Sequence, residues 1–391
     1  MTTVVIACDK FKGSAAAEQI ATALTAGLRR GAPQVQTRFI PVADGGDGTV
    51  DAALSAGFDE RRCWVTGPFG EQLVARYALS EEGTAVLEAA EACGLRLLKR
   101  GRESRDLPGG DQHDAAAADT FGVGQLILAA LDEGASHLIV GLGGSATTDA
   151  GAGLARALGV RILTRRGEPV GPGGAGLVEA GAVDLSGLDP RVARARFTVA
   201  SDVTNPLTGA QGAAAVYGGQ KGVREEQIPQ LDAALARYAR LIEAEVGVSA
   251  GTYAQAEGSG AAGGLGFAAL ALLGAQMRPG ADLVLEMTGY EDALEGADLV
   301  ITGEGSLDEQ TLQGKAPAVV AARAARRGIP VVAVCGAAHL SEEQAQSVGI
   351  GRIHTLLQLQ PEADRAVADP LPLVERIGEE LGKELRHPAT G

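Results

Sequence analysis

Apolar residues follow a repeating rhythm along this chain. TVVIAC at the start is a short, continuous apolar run, DKFKGS after it is polar, and AAAEQIATALTAGLRRG places apolar residues at helical spacing. The order predicts strand, loop and helix, with Gly31 as the helix stop. TRFIPV, ADGGDGT and VDAALSAG then repeat it. Strands that alternate with helices imply parallel pairing and an α/β layer fold, whose ligands bind at the carboxyl ends of the strands. DKFKGS and ADGGDGT both fall at that edge.

A different texture follows. RCWVTGPFGEQLVARYALSEEGTAVLEAA predicts short antiparallel strands joined at GPFGE and SEEGT, and the polar segment 95–118 reads as a loop. DTFGVGQLILAALDEG predicts a helix, SHLIVGL a buried strand, and GGSATTDAGAGLARALG a glycine-rich turn into a helix. The strand RFTVA leads into the loop SDVTNPLTGAQGAAAVYGGQKG, and a long helix is predicted over 224–246. After GSGAAGGLGFAALALLGA the first rhythm returns, with ADLVITGEGSLD, IPVVAVCGAA and IHTLLQL as further parallel strands and connections. At 391 residues the chain exceeds the size at which one core stops growing, about 250–300 residues. The simplest architecture has two α/β domains. Residues 1–62 and 289–391 build a parallel-sheet domain from both chain ends, and 63–288 form an inserted second domain. The active site is expected in the cleft between them.

Charge narrows the partners. A formal charge of −15 repels phosphate backbones and anionic membranes, so neither nucleic acid nor a membrane surface is an expected partner. Apolar stretches such as FAALALLGA fall below the roughly 18 residues of a membrane span, and MTTVVIACDK enters a strand with no charged leader. Four widely spaced cysteines without a CxxC pair are expected as free thiols. These features predict a soluble cytoplasmic protein; a homodimer is compatible with them.

The basic residues are more selective. Of 34 in total only six are lysines, leaving 28 arginines. Four of the six lie in glycine-bearing stretches: Lys10 and Lys12 in DKFKGS, Lys221 in GGQKGV and Lys315 in LQGKAP. A chain that uses arginine for a generic cation is expected to keep lysine where a compact ammonium is needed. On this ground Lys10, Lys12 and Lys315 are candidates for phosphate charge, while Lys99 and Lys383 read as surface residues. Lysine beside a helix N-terminus suits a phosphate, although Ser14 as a helix cap would explain part of DKFKGS. In ADGGDGT, Asp44 and Asp47 supply the hard oxygens that magnesium prefers; the alternative is a turn in which Asp47 or Thr49 caps the next helix.

Two loops imitate known fingerprints. Gly141, Gly143 and Ala146 fit G-x-G-x-x-A after a strand, with Arg165 and Arg166 where a ribose-binding acid would stand. That pattern supports an NADP-dependent oxidoreductase of a small hydroxy acid as an alternative reading. TGEGSLDEQTLQGKAP ends in Gly314-Lys315 but carries Ala316 where a P-loop needs Ser or Thr, and it adds Glu304 and Asp308 to the acids at strand ends.

Taken in order, DKFKGS, ADGGDGT, TGPFGE, GLGGSATTDAG, SDVTNPLTGAQGA, AAGGLGFA and TGEGSLDEQTLQGKAP closely resemble the bacterial glycerate kinase family over nearly the whole chain. The resemblance implies phosphoryl transfer from ATP to D-glycerate with Mg2+, most simply to 2-phosphoglycerate. It also implies a flavodoxin/Rossmann-like parallel sheet as one of two α/β domains. Phosphoryl transfer needs alignment and charge neutralisation more than covalent help. Asp202 is therefore the first candidate for the base that orients the attacking hydroxyl, with Asp9 next. Lys10, Lys12 and Lys315 are assigned to phosphate charge, and Gly143, Gly144 and Ser145 to backbone N–H groups that meet phosphate or carboxylate. Asp149, Asn205 and Glu304 complete the substrate-binding candidates, and Asp44 and Asp47 are the metal candidates. The family's loop commonly reads GGSATNDGG, so Thr148 and Ala150 are departures, and alanine disfavours a positive φ. A non-catalytic nucleotide-binding regulator on the same fold is the remaining alternative.

Overall fold

The computed structural model describes residues 2–97 and 114–386. Most of the loop expected at 95–118, with Lys99, lies outside the described residues. In chain order the strands are β1 (Thr3–Cys8), β2 (Gln36–Phe39), β3 (Asp59–Thr66), β4 (Gln72–Leu79), β5 (Thr84–Glu88), β6 (His137–Gly141), β7 (Arg161–Thr164) and β8 (Ala180–Asp184). They continue as β9 (Arg196–Ala200), β10 (Gln276–Arg278), β11 (Leu299–Gly303), β12 (Ser306–Leu307), β13 (Val331–Cys335), β14 (Ala337–Ala338) and β15 (Arg352–Thr355).

Two compact units divide the chain. The first comprises Met1–Asp44 and Ala281–Gly391, the second Gly45–Gly280. These limits differ from the expected borders near 62 and 289. The helix Thr49–Ser55 belongs with the second unit because its first N–H groups bind Glu88 of that unit.

The first unit is built on a five-stranded sheet in the order β2-β1-β11-β13-β15, every pair parallel. Counted within the unit this is the order 2-1-3-4-5 of a flavodoxin-like sheet, whose chain direction reverses between β1 and β11. The apolar runs VVIAC, LVIT and VVAVC are its buried strands, as expected for a parallel sheet covered on both faces. The helix Ala17–Gly31 covers one face and packs against Leu371–Arg386, where a Cβ on Gly27 would lie 2.0 Å from the Glu375 carbonyl oxygen. IHTLLQL splits: the strand stops at Thr355, whose Oγ1 accepts the Gln358 N–H and opens the helix Leu356–Leu359. A local cap thus overrides an apolar run.

The second unit carries a six-stranded sheet, β10-β9-β6-β5-β4-β3, parallel from β10 to β5 and antiparallel through β4 and β3. The antiparallel pair is the segment whose texture changed in the sequence. Its core includes Tyr238 and Phe267, in an edge-to-face pair with ring centroids 6.2 Å apart. By length and composition the stretch Ala115–Asp132 could cross a membrane, unlike the shorter stretches considered in the sequence, but 67% of it is buried inside the protein. All four cysteines are free.

Candidate active site

Six of the candidate residues gather in the first unit at the carboxyl ends of its strands. Asp9, Lys10 and Lys12 follow β1, Asp44 follows β2, and Glu304 and Lys315 lie on the loop after β11, so the group flanks the reversal point between β1 and β11. The Asp9 N–H donates to the Gly303 carbonyl at 2.8 Å, which ties the two strand ends together. Burial pushes the Asp9 carboxyl up to about 7; Lys10 opposes the rise, while Asp44 and Glu304 add to it. Burial likewise raises Glu304, against the hydrogen bond from Thr311 Oγ1 at 2.7 Å and the ammonium of Lys315. Lys315 Nζ stands 3.9 Å from Asp308 Oδ1. Acids and lysines thus act on one another here: Asp44 raises both Asp9 and Glu304, and Lys10 and Lys315 oppose the rise.

DKFKGS does not run straight into its helix. Gly13 has φ +79, the Phe11 N–H closes a turn onto the Ala15 carbonyl at 2.9 Å, and the helix starts at Ala17. Ser14 is not its cap: the Ser14 hydroxyl donates to the Val367 carbonyl, and Gln19 Oε1 accepts the Ala16 N–H. Lys12 is exposed on this turn. Gly314-Lys315 is no P-loop, since Glu309 stands where its first glycine would be and Ala316 where its Ser or Thr would be.

The other seven candidates belong to the second unit. Gly45 to Gly48 cross the carboxyl ends of β6 and β9 at a separation that only glycine allows. A Cβ on Gly143 would stand 2.4 Å from Gly46 Cα. Neither Asp47 nor Thr49 caps the helix Thr49–Ser55. Glu88 does, taking the Gly48 N–H at 3.0 Å and the Val50 N–H at 2.7 Å on Oε1, while Thr49 Oγ1 donates to the Gly46 carbonyl. Burial pushes Glu88 up to about 7, against those two hydrogen bonds, and Glu91 and Asp47 raise it further.

Beyond β6 the loop 143–151 rests on a buried cation. Lys221 Nζ donates to Ser145 Oγ at 3.1 Å and to the Thr147 carbonyl at 2.8 Å, with the side chain 5% exposed. Desolvation lowers its pKa to about 8, against the pull of Cys93 and Asp149. Asp149 is wholly buried and accepts the Gly151 N–H, the Gly153 N–H and both donors of Thr120. It braces the loop from inside, and burial followed by Asp119 raises its pKa. Asn205 is spent in the same way, accepting from Tyr217 Oη at 2.7 Å and donating to the Gln211 carbonyl at 2.9 Å. Asp202 is exposed and accepts the Gly280 N–H at 3.0 Å. The Gly143 N–H already reaches the Gly45 carbonyl, at 3.4 Å. Ala150 does adopt φ +53, so the departure from glycine carries backbone strain of about 1 kcal/mol. The helix after this loop begins only at Ala152, so the glycine pattern from Gly141 does not open a helix as a dinucleotide fingerprint must.

Sequence reasoning passed over Glu88 and Lys221. An acid ending the apolar run TAVLE was the available signal for the first, and lysine scarcity already marked the second. Replacing Lys221 by Met tests the second directly. Its pKa is depressed from 10.5 to about 8 on folding, so between these values the unfolded chain binds more protons. Wild-type stability should climb by on the order of 2–3 kcal/mol as pH rises across that window, and the Met variant should lack the climb. Urea melts at pH 7.5 and 10 read this; equal slopes in both proteins would contradict the buried ammonium.

Among the described residues, no three His, Cys, Asp or Glu side chains are grouped as a metal cage. Magnesium uses one or two carboxylates and completes its shell with phosphate and water, which Asp44 or Asp47 can satisfy without such a cage.

Comparison with known proteins gives the family. The model of the glycerate kinase family matches residues 4–386. A glycerate kinase of Halalkalibacterium halodurans is 42% identical over 383 residues, 97% of each chain. A glycerate 2-kinase of Escherichia coli is 41% identical over 335 residues, covering 85% of this chain and 84% of that one. A crystal structure described as glycerate kinase 2 from Salmonella typhimurium LT2 superposes with a TM-score of 0.81 at 38% identity, covering 98% of each chain. With the family pattern spanning both units, this chain belongs to the glycerate kinase family.

Proposed function

We propose that the protein transfers the γ-phosphoryl group of ATP to D-glycerate, with Mg2+, and forms 2-phosphoglycerate. The observation that carries this reading is the set of acids and lysines at the reversal point of the flavodoxin-like sheet, where folds of this type bind their ligands. Lys10, Lys12 and Lys315 neutralise phosphate charge. Asp9 is the base for the attacking hydroxyl: a carboxyl near 7 suits proton transfer at neutral pH. Gly144 and Ser145, in the loop that the buried Lys221 ammonium braces, offer backbone N–H groups of the second unit to the acid group of the acceptor. When bound, Mg2+ adds cationic charge on the phosphate oxygens and lines up the transferred group. Release of ADP that requires ATP and D-glycerate together supports the reading; ADP release indifferent to glycerate contradicts it.

Because Glu88 caps the helix after ADGGDGT, the Asp47 carboxylate is not needed for that cap, and its role can be isolated. Asp47→Asn should fold normally, raise the magnesium concentration for half-maximal rate severalfold and cut turnover by ~10²-fold, the scale of a lost metal contact. The same titration on Asp44→Asn identifies which carboxylate is used. Wild-type magnesium dependence in both variants would remove the metal from this loop.

A further inference from the structure

A cavity of about 300 Å3 lies wholly in the first unit, beside Lys12. Four loops at the carboxyl ends of the sheet form it: Phe11 comes after β1, Gly305 after β11, Gly336 after β13 and Leu356 after β15, with Ala366 closing one side. The wall is mainly carbon and backbone. Phe11, Leu356 and Ala366 are buried, and a Cβ on Gly336 would meet the Gly305 carbonyl at 2.5 Å, so the loops are as close as backbone allows. Of the hydroxyls on the rim, Ser14 is spent on the Val367 carbonyl. A narrow apolar slot with an exposed ammonium at its mouth fits a flat, uncharged ring system carrying an anionic tail.

We infer that this slot holds the base and sugar of the nucleotide, with the phosphates leaving it past Lys12 toward Asp9 and Glu304. The inference rests on the kinase reading and adds the place of the nucleoside. Three observations converge on it. Its volume lies at the low end of small-ligand pockets, about 300–1,000 Å3. It opens at the edge where such sheets bind ligands. Lys12, proposed for the phosphates, lines it, and the carboxylates Glu304 and Asp9 stand one and two residues from its lining. A slot that recognises the base through apolar walls and backbone should bind adenosine diphosphate far better than pyrophosphate.

Two substitutions narrow the slot without touching the phosphate residues. Ala363 lines it but is exposed, so Ala363→Phe can fill it without disturbing the core; Ala366→Val adds bulk from the buried side. Titration calorimetry of ADP and of pyrophosphate, on full-length proteins checked by thermal melting, reads the result without reference to turnover. ADP affinity should fall about tenfold or more in Ala363→Phe, a loss of ~1.4 kcal/mol, while pyrophosphate binding stays unchanged. Ala366→Val should fall in the same direction. Unchanged ADP affinity in a folded Ala363→Phe protein overturns the slot even where glycerate phosphorylation is intact. Wild-type protein that binds no ADP overturns the slot and the kinase reading together, whereas ADP binding without glycerate phosphorylation overturns only the latter.

Discussion

Asp9→Asn is expected to fold as the wild type does and to lose phosphorylation rate by ~10²–10⁴-fold, the usual share of a positioned general base. Asn keeps the size of the side chain and an oxygen for the Lys10 N–H, which Asp9 Oδ1 now accepts at 2.7 Å. It removes the ability to take a proton. The fold should gain slightly, because burial makes a charged Asp9 unfavourable. The KM for ATP should change little, since the phosphate charge is met by lysines. Steady-state rates with both substrates varied separate these effects. Turnover within threefold of wild type would transfer the role to Asp202, and Asp202→Asn measured in parallel would show it.

Gly143→Ala should be strongly damaging to the second unit. The new Cβ would sit 2.4 Å from Gly46 Cα, and what it meets is backbone, so no side chain can rotate away. Overpacking of this kind costs about 1–3 kcal/mol where neighbours can shift. Here the shift moves two loops at once, the Gly45–Gly48 crossing and the turn over Lys221. Displacing a binding loop by about 1 Å can cost ~10²-fold in rate, so kcat/KM should fall by that order with Tm lowered by several degrees. Gly13→Ala is the matched comparison. Its Cβ would meet nothing within 4 Å, and only its φ of +79 is penalised. Equal loss in the two variants would mean that the close crossing is not what sets the cost at Gly143.

Much of this architecture was legible because the physics is local. Continuous apolar runs such as VVIAC and VVAVC gave the parallel strands, and the alternating segment around Arg76 gave the antiparallel edge. Side-chain commitments were not legible. Asp149 and Asn205 stand in glycine-rich loops with the residue types of a binding site, yet Asp149 is buried against Thr120 and the half-buried Asn205 is bonded to Tyr217. Ser14 and Thr49 look like helix caps by position, but a residue distant in sequence, Val367, takes the first hydroxyl, and Glu88 does the capping expected of the second. Lys221 was marked by lysine scarcity, but its burial depends on the packing of the loop 143–147, which no spacing rule reports. The short strand at Thr355 shows the same limit from the other side, since one capping hydroxyl converts an apolar run into a helix.

Phosphorus NMR of the reaction product tests the central reading most directly. Protein incubated with ATP, Mg2+ and D-glycerate should convert the γ-phosphoryl signal into ADP and a single new phosphate monoester. Its coupling should identify attachment at carbon 2, with one ester formed for each ADP. No ester above the rate of a protein-free control, or reduction of a nicotinamide by a hydroxy acid in its place, would contradict the account.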